Sequence, residues 1–389
     1  MNSFDKEYLN LVNDIMSNGV DKKTRSGNVK SVFGRQLRFD LKKGVPILTT
    51  KKVFSKGVIY ELLWFLNHYK DATGGMNINY LLRNSVHIWD DDAYRWYKEK
   101  MNEIFKDVNE KPVTINYFVV MDDDEKGGND AKYQYWLENE IYRDDVEHLR
   151  NLSKEEFIDM CLQNIEVRIN TDPLPQKYRF GELGPIYGKQ WRRFGFYGVD
   201  QIENIIKTLK KKPNDRRMLC VAYNPDQLDE MALPPCHVMM QFYTRKLTWD
   251  ERLAEYKKRY GRTDVPITTI KMDSLRVPKY GLSCMYTMRS NDIFLGATFN
   301  ILSYSILTYM IAELVNMVPD ELIASIGDCH IYAGHFNAVK EQLSRNGSDI
   351  YPKLIIHGKH KVIEDFKYED FEIVDYNPDA PIKAPLSVG

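Results

Sequence analysis

From Asn300 to Asn316 the chain is apolar nearly all round, with Ile301, Leu302, Ile306, Leu307, Met310, Ile311 and Leu314 falling on every side of a helical wheel. A helix without a polar face has to be covered on all sides, so it belongs at the centre of a fold. Around it the sequence supplies long strand-like stretches interspersed with amphipathic helices, a pattern that predicts an α+β arrangement with helices on one side of a large sheet. At 389 residues with 43% hydrophobic content, the chain has material for one sizeable core with additions. Its net charge of −1 gives no electrostatic case for bulk binding to nucleic acid or a membrane. No apolar run is long enough to span a bilayer. No secretory leader is read after Met1, and five cysteines without CxxC or zinc spacing lead us to expect a reduced, cytoplasmic compartment and no metal.

The stretch most suggestive of chemistry is Leu233-Pro234-Pro235-Cys236-His237, which runs into the apolar Val238 to Tyr243. Two prolines fix the approach of the backbone and the strand anchors the far side of the cysteine, which suits a nucleophile. A lone cysteine is more often a buried structural residue. Here Arg216 and Arg217 upstream, with Arg289 downstream, supply cations of the kind that populate a thiolate.

Smaller features order the chain. Phe4 to Asn18 reads as an amphipathic helix stopped by Gly19, followed by a turn at Thr24-Arg25-Ser26-Gly27 and an alternating strand, Val32 to Phe39. Lys56 to Asn67 reads as a helix carrying Glu61 among Leu62, Leu63, Trp64 and Phe65. Such a carboxylate either reaches the surface or is paired, and burial would raise its pKa. Asp200 with Glu203, Ser153 with Glu156, and Thr248 with Glu251 are spaced as helix caps. The acidic loop Asp122 to Glu125 lacks ligand periodicity and reads as solvated surface. The face formed by Arg252, Lys257, Lys258 and Arg259 also reads as solvated.

Taken in order, several motifs resemble the thymidylate synthase family, which includes the phage pyrimidine hydroxymethylases. They are Glu61-Leu62-Leu63-Trp64-Phe65-Leu66, Ile88-Trp89-Asp90, Gly184-Pro185-Ile186-Tyr187 through Trp191-Arg192, Asp215-Arg216-Arg217 and Pro235-Cys236-His237. Arg289-Ser290 with Asp292, Phe299-Asn300-Ile301, Gly327-Asp328 with His330-Ile331-Tyr332, and Pro381 to Pro385 complete the series. The match spans nearly the whole chain as one domain, apart from two insertions, about residues 98–177 and about residues 244–279.

The resemblance implies a pyrimidine deoxynucleotide modified at C5, with 5,10-methylenetetrahydrofolate as one-carbon co-substrate. Cys236 is then the nucleophile at C6. Glu61 organises water and hydrogen bonds around O4, and Tyr187 assists proton removal at C5. Arg25, Arg289 and Ser290 hold the phosphate, His330 and Tyr332 the sugar hydroxyl, Asp292 the pterin, while Trp89, Asp92 and the terminal Ser387 belong to the folate side. Arg216 and Arg217 match a pair delivered from a partner subunit, which implies a homodimer with shared sites. On a strand, adjacent arginines point to opposite faces, so their joint use requires a local kink. Asn300 offers an acceptor and a donor side by side, complementary to uracil N3–H and O4. Cytosine-directed relatives carry aspartate there, so dUMP is the expected substrate.

The product depends on what meets the C5 methylene: hydride gives thymidylate, water gives 5-hydroxymethyl-dUMP. Asp92 stands where the synthases have a second tryptophan, and Phe54, Met288, Thr298, Gly334 and the terminal Gly389 also depart from their pattern. Asp92 would admit or orient water, so hydroxymethylation is the expected reaction and thymidylate synthesis its alternative. A nucleotide- or RNA-binding regulator without catalysis is a third reading, which Cys236→Ala separates because a binder keeps its function.

Overall fold

The structure is a computed structural model describing residues 1–67, 75–106, 114–121, 132–139, 143–170, 176–261 and 267–385. The chain divides into two compact units, one formed by Met1–Leu63, Gly198–Tyr223 and Cys236–Ser387, the other by Trp64–Tyr197, Asn224–Pro235 and Val388–Gly389.

In the first unit a six-stranded mixed sheet runs in the order Val20–Thr24, Gly27–Asp40, Val318–Tyr332, Tyr280–Asp292, His237–Lys246 and Leu219–Val221. All neighbours are antiparallel except Tyr280–Asp292 and Val318–Tyr332, which run parallel. A parallel pair needs a crossover, and the apolar helix provides it as Gly296–Leu314. Leu282, Cys284, Tyr286, Leu322, Ala324 and Ile326 are buried, and Tyr286 stacks on Tyr304 of the helix at 4.2 Å. The hydroxyls of the helix do not break its apolar surroundings, because Ser305 and Thr308 donate to the carbonyls of Ile301 and Tyr304 four residues back.

The helix starts four residues before Asn300. The Asp292 carboxylate accepts from the backbone N–H groups of Phe294 and Leu295 at 2.9 and 3.3 Å, and Thr298 Oγ1 donates to the Leu295 carbonyl at 2.8 Å. The threonine hydroxyl thus stitches the turn that leads into the helix.

The first helix, Ser3–Asn18, buries Tyr8, Leu11, Val12 and Ile15. Gly19 ends it in an extended conformation at φ −67°. Glycine is required there by space, since a Cβ would lie 2.3 Å from the Ile15 carbonyl oxygen. Ile202, Ile205, Ile206 and Leu209 are buried on the helix Gln201–Lys211 that Asp200 caps. The segment about 244–279 carries helices Trp249–Tyr260 and Thr269–Ser274 around a small core of Tyr256, Met272 and Val277. The Thr248 capping box and the Gly261 stop, at φ 78°, form as spaced. Arg252 corrects the reading of a solvated face. It is buried, donating to the Pro278 carbonyl at 3.1 Å and to Asp273 at 2.6 Å.

In the second unit a four-stranded antiparallel sheet has the order Lys132–Asn139, Thr114–Met121, Ile165–Asn170 and Gln176–Arg179. Around it Tyr97, Phe157, Tyr178 and Phe180 form an aromatic core, with Tyr97 5.0 Å from Phe157 and 5.3 Å from Phe180 between ring centroids. The Ser153 capping box is present. The acidic loop Asp122 to Glu125 lies outside the described residues.

Candidate active site

One end of the six-stranded sheet gathers most of the candidate residues. Tyr280–Asp292 and Val318–Tyr332 finish there, and His237–Lys246 and Gly27–Asp40 begin there. The register pairs His237 with Met288, Asp328 with Ser290, His330 with Asp292, and Tyr332 with Val29. Cys236 is therefore the residue just ahead of a central strand, and its carbonyl accepts from the Arg289 N–H at 2.9 Å. The thiol is half-buried, whereas Cys161, Cys220, Cys284 and Cys329 are buried. Burial pushes the thiols of Cys284 and Cys329 up to about 12, so neither is a nucleophile near neutral pH.

Strand alternation puts His330 and Tyr332 on one face, their rings perpendicular at 5.2 Å. Ser290 Oγ lies 3.5 Å from His330 Nδ1. The Tyr332 phenol is raised by burial; its side-chain hydrogen bond to Ser26 opposes that rise, while the charges of Asp292 and Cys236 add to it. One phenol thus reports Ser26, Cys236 and Asp292 as neighbours. Arg25 is exposed on the turn beside Ser26. Asp292 is oriented through Oδ1 by the two N–H groups of its turn, and Oδ2 takes no hydrogen bond among the described residues. It is the acceptor that a pterin donor edge requires, so the residues present fit a folate.

Asn300 is buried in the first turns of the helix, where its Nδ2 donates to Asn291 Oδ1 at 3.3 Å. Desolvation pushes the His237 imidazole down to about 4, against the pull of a side-chain hydrogen bond to Asn300. His237 Nδ1 is 2.9 Å from the Tyr304 hydroxyl. Asn291 and His237 therefore fix the amide from two directions. Gly296 makes room for this arrangement, because a Cβ there would lie 2.9 Å from Asn291 Oδ1.

Sequence reasoning did not single out Ser26, Asn291, Tyr304 or His335 as site residues, and it read His237 only as part of the cysteine motif. Their positions beside Arg25, Ser290, Asn300 and Tyr332 were the available signal.

Arg216 and Arg217 are elsewhere. They precede the strand Leu219–Val221 rather than lying on it, so no kink within a strand is needed. The Arg216 carbonyl accepts from Gln241 Nε2 at 3.4 Å, five residues along the strand from Cys236, or roughly 17 Å. Arg217 is bound along one edge of its guanidinium by Asp215, through Nε and Nη2 at 3.0 and 2.8 Å. Glu61 is half-buried on the helix Ser55–Asn67. Ser387 lies outside the described residues.

In the second unit Tyr187 and Trp89 are buried together, ring centroids 5.9 Å apart, and Trp89 also meets Trp64 at 5.6 Å. Phe65 packs 5.2 Å from Tyr187. Gly188 permits this, since a Cβ would lie 2.3 Å from the Phe65 carbonyl oxygen. Asp92 is in the first turn of Asp90–Ile104. Its carboxylate is paired with Arg95 at 3.1 Å, and Arg95 also donates to the Ala232 carbonyl at 2.8 Å. Among the described residues no helix is long and apolar enough to cross a membrane, and no group of three His, Cys, Asp or Glu side chains could hold a metal.

Comparison with known proteins matches residues 6–388 to the family model described as thymidylate synthase. Proteins named thymidylate synthase are similar over their full length: 36% identity over 385 residues for that of Mycoplasma mobile, and 35% over 384 for that of Malacoplasma penetrans. That of Listeria monocytogenes is 36% identical over 387 residues, and each alignment covers 98% of this chain.

Proposed function

The chain belongs to the thymidylate synthase family, and we propose that it converts dUMP to thymidylate with 5,10-methylenetetrahydrofolate, releasing dihydrofolate. The observation that carries this reading is the convergence of Cys236, Arg289, Ser290, Asp292, His330, Tyr332 and an oriented Asn300 on one sheet end, in a chain whose full-length relatives bear the synthase name.

Uracil C5 is a poor nucleophile until C6 is attacked. The Cys236 thiolate adds to C6, charge moves to O4, and Asn300 meets the N3–H and O4 edge. Glu61 serves the hydrogen bonds around O4. The resulting enolate attacks the methylene carbon carried by folate, forming the C5–C bond. Loss of the C5 proton, assisted by Tyr187, and departure of the folate nitrogen leave an exocyclic methylene. Hydride from tetrahydrofolate then reduces it to methyl, and Cys236 leaves C6. Arg25, Arg289 and Ser290 serve the phosphate, His330 and Tyr332 the sugar hydroxyl, Asp292 the pterin, and Trp89 and Ser387 the folate side.

The enzyme acts as a homodimer in this reading. The sheet face opposite the central helix carries Tyr243, 65% exposed, with Gln241, Met285 and Ile323 around a groove of about 570 Å³. Arg216 touches Gln241 on that face, the position from which it and Arg217 would reach a second copy's phosphate site.

Hydroxymethylation of dUMP is the second reading, favoured by Asp92. Against it, Asp92 is engaged by Arg95, and the named relatives are synthases. Incubation with dUMP and methylenetetrahydrofolate distinguishes the two by product mass and by absorbance of dihydrofolate. Thymidylate with dihydrofolate supports the proposal. Hydroxymethyl-dUMP with tetrahydrofolate replaces it.

A further inference from the structure

We propose that His335 is a positioning residue that ties the C-terminal segment to the turn presenting Asp292, so that one imidazole sets both the seating of that segment and the packing behind the acid. This role for His335 rests on Asp292 binding folate, as proposed for the reaction.

His335 follows the strand Val318–Tyr332 in the short turn Ala333–His335 and is completely buried. Its Nε2 lies 2.8 Å from the Pro385 carbonyl oxygen. A carbonyl only accepts, so Nε2 carries the proton and, in the neutral ring, Nδ1 presents a lone pair. That Nδ1 has no hydrogen-bond partner among the described residues, and the nearest charged atom facing it is Asp292 Oδ1 at 3.9 Å. The distance is too long for a hydrogen bond. A buried acceptor facing a carboxylate is unfavourable unless a donor enters between them or the ring is fixed from elsewhere. Here it is fixed: Phe294 and Tyr332 flank it at 5.4 and 5.7 Å, and the Pro385 tie holds its far edge.

The turn that follows Asp292 is met from other sides by Lys51 and Tyr8. Lys51 Nζ binds the Phe294 carbonyl and lies 3.6 Å over the Phe294 ring, and Tyr8 donates to the Ile293 carbonyl at 2.9 Å. The turn that presents Asp292 is therefore braced on one side by Tyr8 and Lys51 and on the other by His335. Among the described residues, only the last brace also bonds the C-terminal segment, at Pro385. Pro385 also packs beside Gly334, its Cγ 3.7 Å from where a Cβ would stand, an ordinary contact distance.

The test uses His335→Phe, which keeps a ring and loses both nitrogens, His335→Asn, whose amide falls short of Pro385, and His335→Gln, whose amide can donate to the Pro385 oxygen. We expect the Phe and Asn variants to raise KM for methylenetetrahydrofolate by about ten-fold and to leave dUMP affinity within about two-fold, with Gln restoring most of the loss. Trypsin cleavage after the exposed Lys383 reads the tie independently of turnover, and should quicken about ten-fold in Phe and Asn but not in Gln. Unchanged folate KM and unchanged cleavage in a folded Phe or Asn variant overturn the proposal. A parallel fall in dUMP affinity overturns it too, by showing general damage. If the wild type shows no folate-dependent turnover, the functional reading fails instead, while the cleavage rates still decide whether His335 holds the segment.

Discussion

The two ends of the six-stranded sheet are made by the same strands and treat polar groups in opposite ways. At one end Arg245 holds Asp320 at 2.7 and 2.6 Å and Glu251 at 2.8 and 2.6 Å, while Lys42 adds a third cation–carboxylate contact to Asp320 at 3.0 Å. The arginine fork is saturated by two carboxylates, and through Glu251, the closing residue of a capping box, it anchors the helix Trp249–Tyr260 to the sheet. At the other end Asn291 Nδ2 and His335 Nδ1 are buried without partners among the described residues. Asp292 and Asn300 are held in orientation there, with acceptor or donor capacity remaining. Buried polar groups left short of partners are costly, and a protein retains them where a ligand completes the set. The paired end is structure; the incomplete end is where a substrate is expected.

The largest effect that would break this contrast is at Cys236. Cys236→Ala should lower turnover by about 10⁴-fold or more while melting within a few degrees of the wild type. Retained turnover would remove the nucleophile and with it the functional meaning of that end. Next is Asn300→Asp. A carboxylate cannot donate to O4, so dUMP turnover should fall about a hundred-fold while dCMP gains relative to it. Competition between the two nucleotides measures this, and unchanged selectivity would mean that another group reads the base.

The opposite end should lose stability and keep activity. Asp320→Asn leaves Arg245 and Lys42 short of a charge and should cost about 2 kcal/mol in urea unfolding, with kcat per folded molecule unchanged. A fall in kcat without loss of stability would reverse the assignment of the two ends. Acid should act on the same network. The Arg245 guanidinium lowers the Glu251 carboxyl from 4.5 to about 2. Because its folded value is depressed, the stabilisation is complete above about pH 4.5 and is lost as pH falls towards 2. Melting curves across that window should flatten in Arg245→Met.

How far the fold is legible in the sequence depends on the range of the interactions involved. Ser153, Asp200 and Thr248 find partners three residues away, so their caps were legible. The all-round apolar helix was legible because burial on every side follows from composition alone. Arg252 was misread because Pro278 and Asp273 lie more than twenty residues on and nothing local marks them. The division into two units was likewise not anticipated, since it depends on which distant segments pack together. At the site, the candidate nucleophile Cys236, the amide of Asn300 proposed to read the base and the His330–Tyr332 face came from motifs. The Asn291–Asn300–His237 arrangement and the His335 contact depend on strand register and on a parallel pairing that no spacing reveals. Asp92 is the subtler case: its partner Arg95 stands three residues later on the same helix, a spacing that is local and legible in the sequence.

The finest distinction between regions lies in two histidines whose titrations should carry opposite signs. His237, at the incomplete end, is lowered by desolvation from 6.5 to about 4. The unfolded chain therefore binds more protons there between those values, and this residue's contribution makes stability rise with pH over that window. His360 sits between Glu313 at 2.8 Å and Asp370 at 3.1 Å and stacks on Phe366 at 3.8 Å. Burial alone would lower it, but the two carboxylates outweigh that and raise it above the ordinary histidine value of 6.5. Its stabilisation is present below 6.5 and is lost as pH rises through the raised value. His237→Gln should therefore flatten the acid limb of a stability–pH curve, and His360→Gln the neutral-to-basic limb. Ring proton resonances provide the direct check: His237 should not titrate between pH 5 and 8, and His360 should titrate above 6.5. A His237 ring that protonates near 6.5 would mean that water reaches it freely, and the enclosed environment that orients Asn300 would be lost with that result.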